Sequence, residues 1–444
     1  MSRAKRLLRD GATLLLGDGG ARVLAFLAAL LLADRLGVHA FGVAYIGLTA
    51  LSYALWGSDL GLAILGTREM AKPPRDRAIG FGDILSLRMA LGLLGTLVTA
   101  IVVAATIEDE TTRTVALLFL IALPPTLLQI EWYYQGVARY GPIAAIRYLF
   151  GGGYLLGIFL LVDGPDDLLR VPLIYAASVG LAATAALLLR RPEEPAVSIV
   201  STEKRLLLAR WKSALARATP IGIGSAAAQS LQIVPPIIIA AMVGEEGVGI
   251  FGAAFRLVLA LTVVDRLFIA LFLPLITRTR STAPEEFPRL LRRIVVPLLI
   301  GSALLCAAIS LLAGPIIDLV YDPEYAPAAA PLAVMSWFLF GTIMTSFFTY
   351  ALIAVDVERA YLRASLISAV IAVALVLLLT WRYGTLGAAI GLTVGELLTT
   401  VLVWREYRKR MGSSTGALPL LSSGGGAVRG CLMLRHPFAP SLHR

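Results

Sequence analysis

The sequence predicts an all-α integral membrane fold of about twelve transmembrane helices, arranged as two six-helix lobes with both termini in the cytoplasm. Three observations carry this expectation: the composition, the spacing of apolar runs, and the sidedness of the basic residues. Of 444 residues, 58% are hydrophobic and 15% charged, and the mean hydropathy is +0.81. A soluble domain carries about a quarter of its residues as charges. Lipid is the solvent that accounts for the missing charge.

A helix needs roughly 20 apolar residues to cross the hydrocarbon core. Apolar runs separated by charged or Pro/Gly-rich breaks lie at 11–33, 41–66, 83–105, 114–136, 143–163, 170–189, 214–243, 247–276, 294–314, 328–355, 361–381 and 385–404. Pro235, Pro236 and Pro274 fall within such runs, as membrane helices with local breaks allow. With the N-terminus inside, 30 of the 39 Lys and Arg fall in cytoplasmic segments and only Arg35, Arg113, Arg170 and Arg382 fall outside. The outer loops are acidic instead, through Glu108, Asp109, Glu110, Asp163, Asp166, Asp167, Glu245, Glu246, Asp318, Asp322 and Glu324. One misplaced span would scramble this alternation from that point onward, so the positive-inside bias argues for the whole register.

The longest break divides the chain. Residues 1–189 form an N-lobe of spans 1–6, 190–213 a cytoplasmic linker, 214–404 a C-lobe of spans 7–12, and 405–444 a tail that reads as disordered. The linker ends in Leu206, Leu207, Leu208 and Trp211 among basic residues, the pattern of an interfacial amphipathic helix. Gly37 and Gly42 recur as Gly244 and Gly249 between the first two spans of each half. Because each half starts inside and has an even number of spans, the repeats are parallel, with a pseudo-two-fold along the membrane normal and a cavity between lobes.

Several classes fall away. The net charge of +10 belongs to cytoplasmic loops, and no nucleic-acid-binding motif competes with that reading. Cys306 and Cys431 have no metal-type spacing, and a disulfide between them would join lipid to cytoplasm; His39, His436 and His443 form no ligand pattern. No metal or cofactor is expected. The first apolar run is too long for a cleavable signal peptide, and eleven more follow it. Five Lys stand against 34 Arg, with no Asn, which suggests a GC-rich bacterial genome. No nucleophile, metal cluster or phosphate loop suggests an enzyme.

Particular residues carry a family likeness. They are Ala33-Asp34-Arg35-Leu36-Gly37, Phe41-Gly42, Tyr45, Asp59-Leu60-Gly61-Leu62, Gly66-Thr67-Arg68-Glu69, Glu131-Trp132-Tyr133-Tyr134-Gln135-Gly136, Gly249-Ile250-Phe251-Gly252-Ala253-Ala254, Pro274-Leu275-Ile276-Thr277-Arg278, Tyr383-Gly384, Gly387-Ala388-Ala389 and Glu396. In order and spacing these resemble the polysaccharide-biosynthesis flippases, the Wzx-type branch of the multidrug/oligosaccharidyl-lipid/polysaccharide superfamily, over about 7–405. The resemblance implies a MATE-like fold in the bacterial inner membrane. It also implies translocation of undecaprenyl-diphosphate-linked oligosaccharide to the outer leaflet for O-antigen, capsule or exopolysaccharide synthesis. Its partners would be that lipid-linked substrate, membrane lipids, a polysaccharide polymerase and chain-length proteins. One departure stands out: where the family often has an acid midway along the seventh span, this chain has Val234-Pro235-Pro236.

The intramembrane charges are the candidate site. Placing Arg at the bilayer centre costs about 2.5–3.5 kcal/mol on insertion scales. Arg22 has Asp18 four residues earlier on the same helix face; the two are either a neutralised pair or a cavity cation held by its acid. Arg256 lies roughly 13 Å from the outer end of its span with no acid three or four positions away, which points to a water-filled, anion-accepting cavity. Arg266 lies roughly 80° around the helix from it and shares a broad face. Arg88 and Arg147 lie near the cytoplasmic end, where snorkelling explains them. Asp59 and Glu131 lie toward the inner ends of their spans, where they can pair with cytoplasmic Arg; with the deeper Glu396, a candidate proton or Na⁺ site, they are candidate supporting or coupling acids. Trp132, Tyr133 and Tyr134 read as an interface belt or a sugar platform. Three functions remain: a flippase for an anionic lipid-linked oligosaccharide, a proton- or Na⁺-coupled multidrug exporter of the same fold, and a scaffold without transport. The cations favour the first, because phosphate is the natural partner of guanidinium.

Overall fold

A computed structural model describes residues 3–190, 204–262, 279, 286–353 and 358–411. Every regular element among them is helical. In chain order the α-helices are α1 (Arg3–Asp59), α2 (Leu62–Met70), α3 (Phe81–Thr106), α4 (Glu110–Phe119), α5 (Leu123–Leu128), α6 (Glu131–Gly136), α7 (Tyr140–Leu161), α8 (Arg170–Leu188), α9 (Lys204–Met242), α10 (Glu245–Leu261), α11 (Phe287–Leu311), α12 (Ala313–Val320), α13 (Ala329–Ile353) and α14 (Glu358–Met411). Among the described residues, eight helical stretches are long and apolar enough to cross a membrane. The protein is an all-α, multi-pass membrane protein. The helices overlap each of the twelve apolar runs read from the sequence.

Four of the runs are joined in two pairs. At 1.5 Å per residue, the 57 residues of α1 would reach roughly 86 Å, far beyond one bilayer. Gly37, at φ 71° and ψ 173°, breaks α1 into two limbs. Gly384, at φ 58°, does the same in α14. Only glycine adopts such backbone without strain. The fourth run is interrupted: Pro124 and Pro125 follow a 3₁₀ turn at Leu120–Ala122, and Ile130 at φ 45° separates α5 from α6.

The residues expected as an interfacial amphipathic helix are helical and run on without a break. Lys204 onward is the start of α9, a single helix of 39 residues, because neither Gly nor Pro occurs between 204 and 219 to stop it. Residues 191–203 and the tail from 412 lie outside the described residues.

The halves of the chain meet where the glycine repeat falls. A Cβ on Gly42 would lie 1.8 Å from the Glu245 carbonyl oxygen, and one on Gly249 would lie 2.2 Å from that of Val38. In the repeat, Val38 corresponds to Glu245 and Gly42 to Gly249. Each glycine therefore touches the counterpart of its own neighbour, the reciprocity of a two-fold contact. Small residues at such crossings let helix backbones touch, as in membrane helix pairs generally. Tyr325 seals the same end, its hydroxyl donating to the Ala33 carbonyl at 3.2 Å.

Candidate functional site

Below that crossing lies a cavity of about 340 Å³ between the two halves. α1 contributes Tyr45, Leu48, Thr49 and Ser52, an i, i+3, i+4, i+7 stripe on one helix face. α7 brings Phe150 and Tyr154, α8 Tyr175, α9 Gln232 and Pro236, and α10 Arg256. The α9 wall is the stretch where the sequence lacks an acid, and Pro236 itself faces the space.

Arg256 dominates the electrostatics. Its guanidinium carbon lies 5.4 Å from the Phe41 ring centre and 5.3 Å from that of Tyr45. Its Nε is buried with no hydrogen-bond partner. Among the described residues, no carboxylate pairs with it and none lines the cavity. Two faces of aromatic π-density recover about 1–2 kcal/mol for the cation, less than its insertion cost. Thr49 and Ser52 donate to carbonyls of their own helix, Tyr45 and Leu48, each at 2.8 Å. Their hydroxyls therefore offer the cavity only lone pairs. The free donors are Arg256, the tyrosine hydroxyls and the Gln232 amide. This arrangement suits a ligand rich in oxygen acceptors and bearing negative charge.

The other sequence candidates fall in several places. Arg22 is half-buried on α1, one turn before the cavity-lining Ala25 and so roughly 4.5 Å further along the axis on the same face. The side chain of Asp18 and all of Arg266 lie outside the described residues. Asp59 is not at the cavity. It pairs with Arg88 at 3.2 Å and accepts the Ala63 amide at 3.1 Å, which ties the α1–α2 turn. Glu131 holds Arg147 through contacts of 2.8–3.2 Å. Arg88 and Arg147 are thus ion-paired by acids on neighbouring helices, where the sequence suggested snorkelling. Opposite charges that meet inside the bundle need not reach the interface. Glu396 is 8% exposed, on α14. Its Cγ lies 2.8 Å from where a Gly341 Cβ would stand, so it packs on α13 and does not line the cavity.

The aromatic expectation requires correction. Trp132, Tyr133 and Tyr134 are 0–3% exposed, too enclosed for an interface belt or a sugar platform. Trp132 stacks on Phe81 at 5.3 Å, and the Tyr134 hydroxyl donates to the Ala186 carbonyl. They are core at the end of the bundle bearing the basic loops. The aromatic wall that does face the cavity is Tyr45, Phe150, Tyr154 and Tyr175. The sequence shows these only as isolated aromatics in apolar runs.

A second feature escaped the sequence. The Glu69 carboxylate, 1% exposed, binds Lys72 at 2.8 Å, accepts the Ala78 amide at 3.0 Å, and meets Arg217 of α9 at 2.5 Å. Burial alone would raise its pKa, but the bonds from Lys72, Ala78 and Arg217 outweigh this and hold it below the usual 4.5. A few residues on, the Leu60–Gly61 turn abuts Gly222 of α9. A Cβ on Gly222 would sit 2.3 Å from the Leu60 carbonyl. The halves thus meet near the basic-loop end through backbone contact and a buried carboxylate, and near the acidic-loop end at the Gly42–Gly249 crossing.

Comparison with known proteins follows this architecture. Among solved structures, the chain is similar to the lipid II flippase MurJ in an inward closed conformation, with 12% identity, 88% of this chain and 87% of that one covered, and a TM-score of 0.67. It is similar to an inward-facing multidrug resistance MATE family transporter of the MOP superfamily (13% identity, 89% and 95% covered, TM-score 0.64). It also resembles a MOP superfamily transporter from Pyrococcus furiosus whose binding pocket is described as having reverse polarity (14% identity, 92% and 96% covered, TM-score 0.56). The fold is therefore that of this group of membrane transporters and flippases. No curated protein matches the sequence. The polysaccharide biosynthesis protein family matches residues 7–280, well over half the chain, and the chain belongs to that family.

Proposed function

We propose that this protein is a flippase of the bacterial inner membrane that moves undecaprenyl-diphosphate-linked oligosaccharide from the inner to the outer leaflet for O-antigen, capsule or exopolysaccharide synthesis. It has twelve spans in two lobes, with both termini cytoplasmic. The observation that carries the reading is Arg256: a cation paired with no described carboxylate, in a cavity at the junction of the two halves with no carboxylate among its described lining residues. An exporter of cationic drugs needs acids in that place; a diphosphate needs what is there. In this reading Arg256 receives the diphosphate, and Arg22 and Arg266 extend the cationic face. Asp59 and Glu131 act only by holding their helices. Glu396 is reserved for packing, and its replacement by Gln is expected to reduce transport only in part.

A cavity of 340 Å³ is near the lower limit of ligand sites, roughly 300–1,000 Å³. In this reading substrate passage requires the two halves to open toward one leaflet at a time.

Two measurements test the proposal. In a background without Cys306 and Cys431, single cysteines at Glu110, Asp166 and Asp322 are expected to react with a membrane-impermeant thiol reagent applied to intact cells. Cysteines at Arg75 and Lys212 are expected to be protected, and labelling at Lys212 would overturn the topology. Purified protein in proteoliposomes is expected to transfer a fluorescent polyprenyl-diphosphate-linked glycan between leaflets and not to export a cationic dye. The reverse selectivity would establish the exporter.

A further inference from the structure

Among the described residues, three buried tyrosine hydroxyls find backbone acceptors and a fourth does not. Tyr134 donates to Ala186, Tyr321 to the Ala253 carbonyl at 3.1 Å, and Tyr325 to Ala33 at 3.2 Å. Tyr154 is 7% exposed, and its hydroxyl is buried with no partner. It lines the cavity that holds Arg256, whose Nε is likewise buried and without an acceptor. Two residues with orphan donors thus line one space. A buried donor with no acceptor is destabilising, and phenylalanine in place of Tyr154 would fill the same volume without that penalty.

The ring of Tyr154 is also fixed in place. Phe150 stacks on it at 6.1 Å with an interplanar angle of 11°, and Tyr175 meets it edge-on at 5.3 Å. Rotation about the ring axis leaves the hydroxyl oxygen where it is, so the donor is positioned before any ligand arrives. Such preorganisation lowers the ordering cost of binding.

We infer that Tyr154 is a second anion-binding residue: its hydroxyl donates to an oxygen of the same phosphate group that Arg256 binds. This deepens the proposed function and rests on it. It assigns the ligand's charged end to the space between α7 and α10, leaving the aromatic faces of Tyr45 and Tyr175 for whatever adjoins the phosphate. The recognised chemistry is a phosphate or diphosphate ester, an oxyanion with several acceptor oxygens; a lipid alcohol would give Tyr154 one acceptor and Arg256 no counter-charge.

The test uses the purified full chain in detergent and two probes that share one lipid tail, farnesyl diphosphate and farnesol. Wild-type protein is expected to bind the diphosphate far more tightly than the alcohol, and Arg256→Ala to abolish that preference. Tyr154→Phe keeps the ring and removes only the hydroxyl. It is expected to weaken diphosphate binding by roughly ten-fold or more, as the loss of a hydrogen bond to a charged group does, to leave farnesol binding unchanged, and to melt no lower than wild type. If Arg256→Ala abolishes the preference while Tyr154→Phe binds as wild type does, the role of Tyr154 falls and the anion cavity stands. If wild type itself fails to prefer the diphosphate, the anion cavity falls and this inference with it. A Tyr154→Phe protein that melts below wild type would show that the hydroxyl serves the fold, which also overturns the assignment.

Discussion

Replacing Arg256 by alanine is expected to abolish flipping in proteoliposomes while leaving the melting temperature unchanged or raised. The two halves of this result have separate causes. Truncating one member of a buried, hydrogen-bonded charge pair costs about 2–5 kcal/mol, so the complex with a diphosphate should weaken by roughly 30- to several-thousand-fold. The ligand-free protein, by contrast, carries an arginine whose insertion cost of about 2.5–3.5 kcal/mol is only partly offset by the Phe41 and Tyr45 rings. Alanine removes that cost. An arginine that served the fold would show the opposite, a lower melting temperature with activity falling in parallel. The charge series sharpens the test. Arg256→Lys is expected to retain part of the activity, since an ammonium attracts phosphate but lacks the planar fork. Arg256→Glu should be worse than alanine, because like charges 4 Å apart repel by about 4 kcal/mol at an effective dielectric of 20. Alanine and glutamate variants that flip normally would sink the anion-cavity reading.

Arg256 was legible in the sequence because its oddity is local: an apolar run, a deep position, and no acid at helical spacing. The glycine repeat was legible for a similar reason. Its positions 37 and 244 both adopt positive φ, and positions 42 and 249 both meet the other half. Features that depend on which face a helix presents were not legible. Tyr154 and Tyr175 look like any aromatics in a membrane helix until α7 and α8 are placed around the same space. Trp132, Tyr133 and Tyr134 drew attention as a cluster, yet clustering in sequence places them on several sides of α6, and all of those sides are enclosed. Arg88 and Arg147 were read against the nearest membrane boundary because their partners, Asp59 and Glu131, are 29 and 16 residues away. Glu69 was visible only as part of a motif. Its long-range partner, Arg217, is 148 residues on in a segment whose basic character had been assigned wholly to the topology.

Glu69→Ala is expected to loosen the basic-loop end and to open the cavity toward that side. The carboxylate joins the 69–78 loop to α9 through Arg217, and to its own chain through Lys72 and the Ala78 amide. Hydrogen bonds to charged groups contribute about 1.5–3 kcal/mol each. The two cations are about two-fifths exposed and regain water when released, so the ion pairs deserve a discount. A total near 2–3 kcal/mol remains, which corresponds to a roughly 30- to 150-fold shift in a closed–open equilibrium. Two readouts should move together. The melting temperature should fall, and a cysteine placed at the cavity-lining Gln232 should react faster with a thiol reagent supplied from the basic-loop side. Glu69→Gln, which keeps the shape and an acceptor for Ala78 but not the charge, should fall between the two. The pH dependence has a definite sign. The folded pKa is below the ordinary 4.5, so the folded state binds protons less readily than the unfolded chain does. The contribution of Glu69 is therefore fully present above about 4.5 and is lost as pH falls through the folded value. Between pH 6 and 8 the wild type and Glu69→Gln should differ by a constant amount, and in acid the difference should shrink. A difference that grew toward acid, or a Gln232 cysteine no more reactive in Glu69→Ala than in wild type, would show that the carboxylate does not hold this end closed.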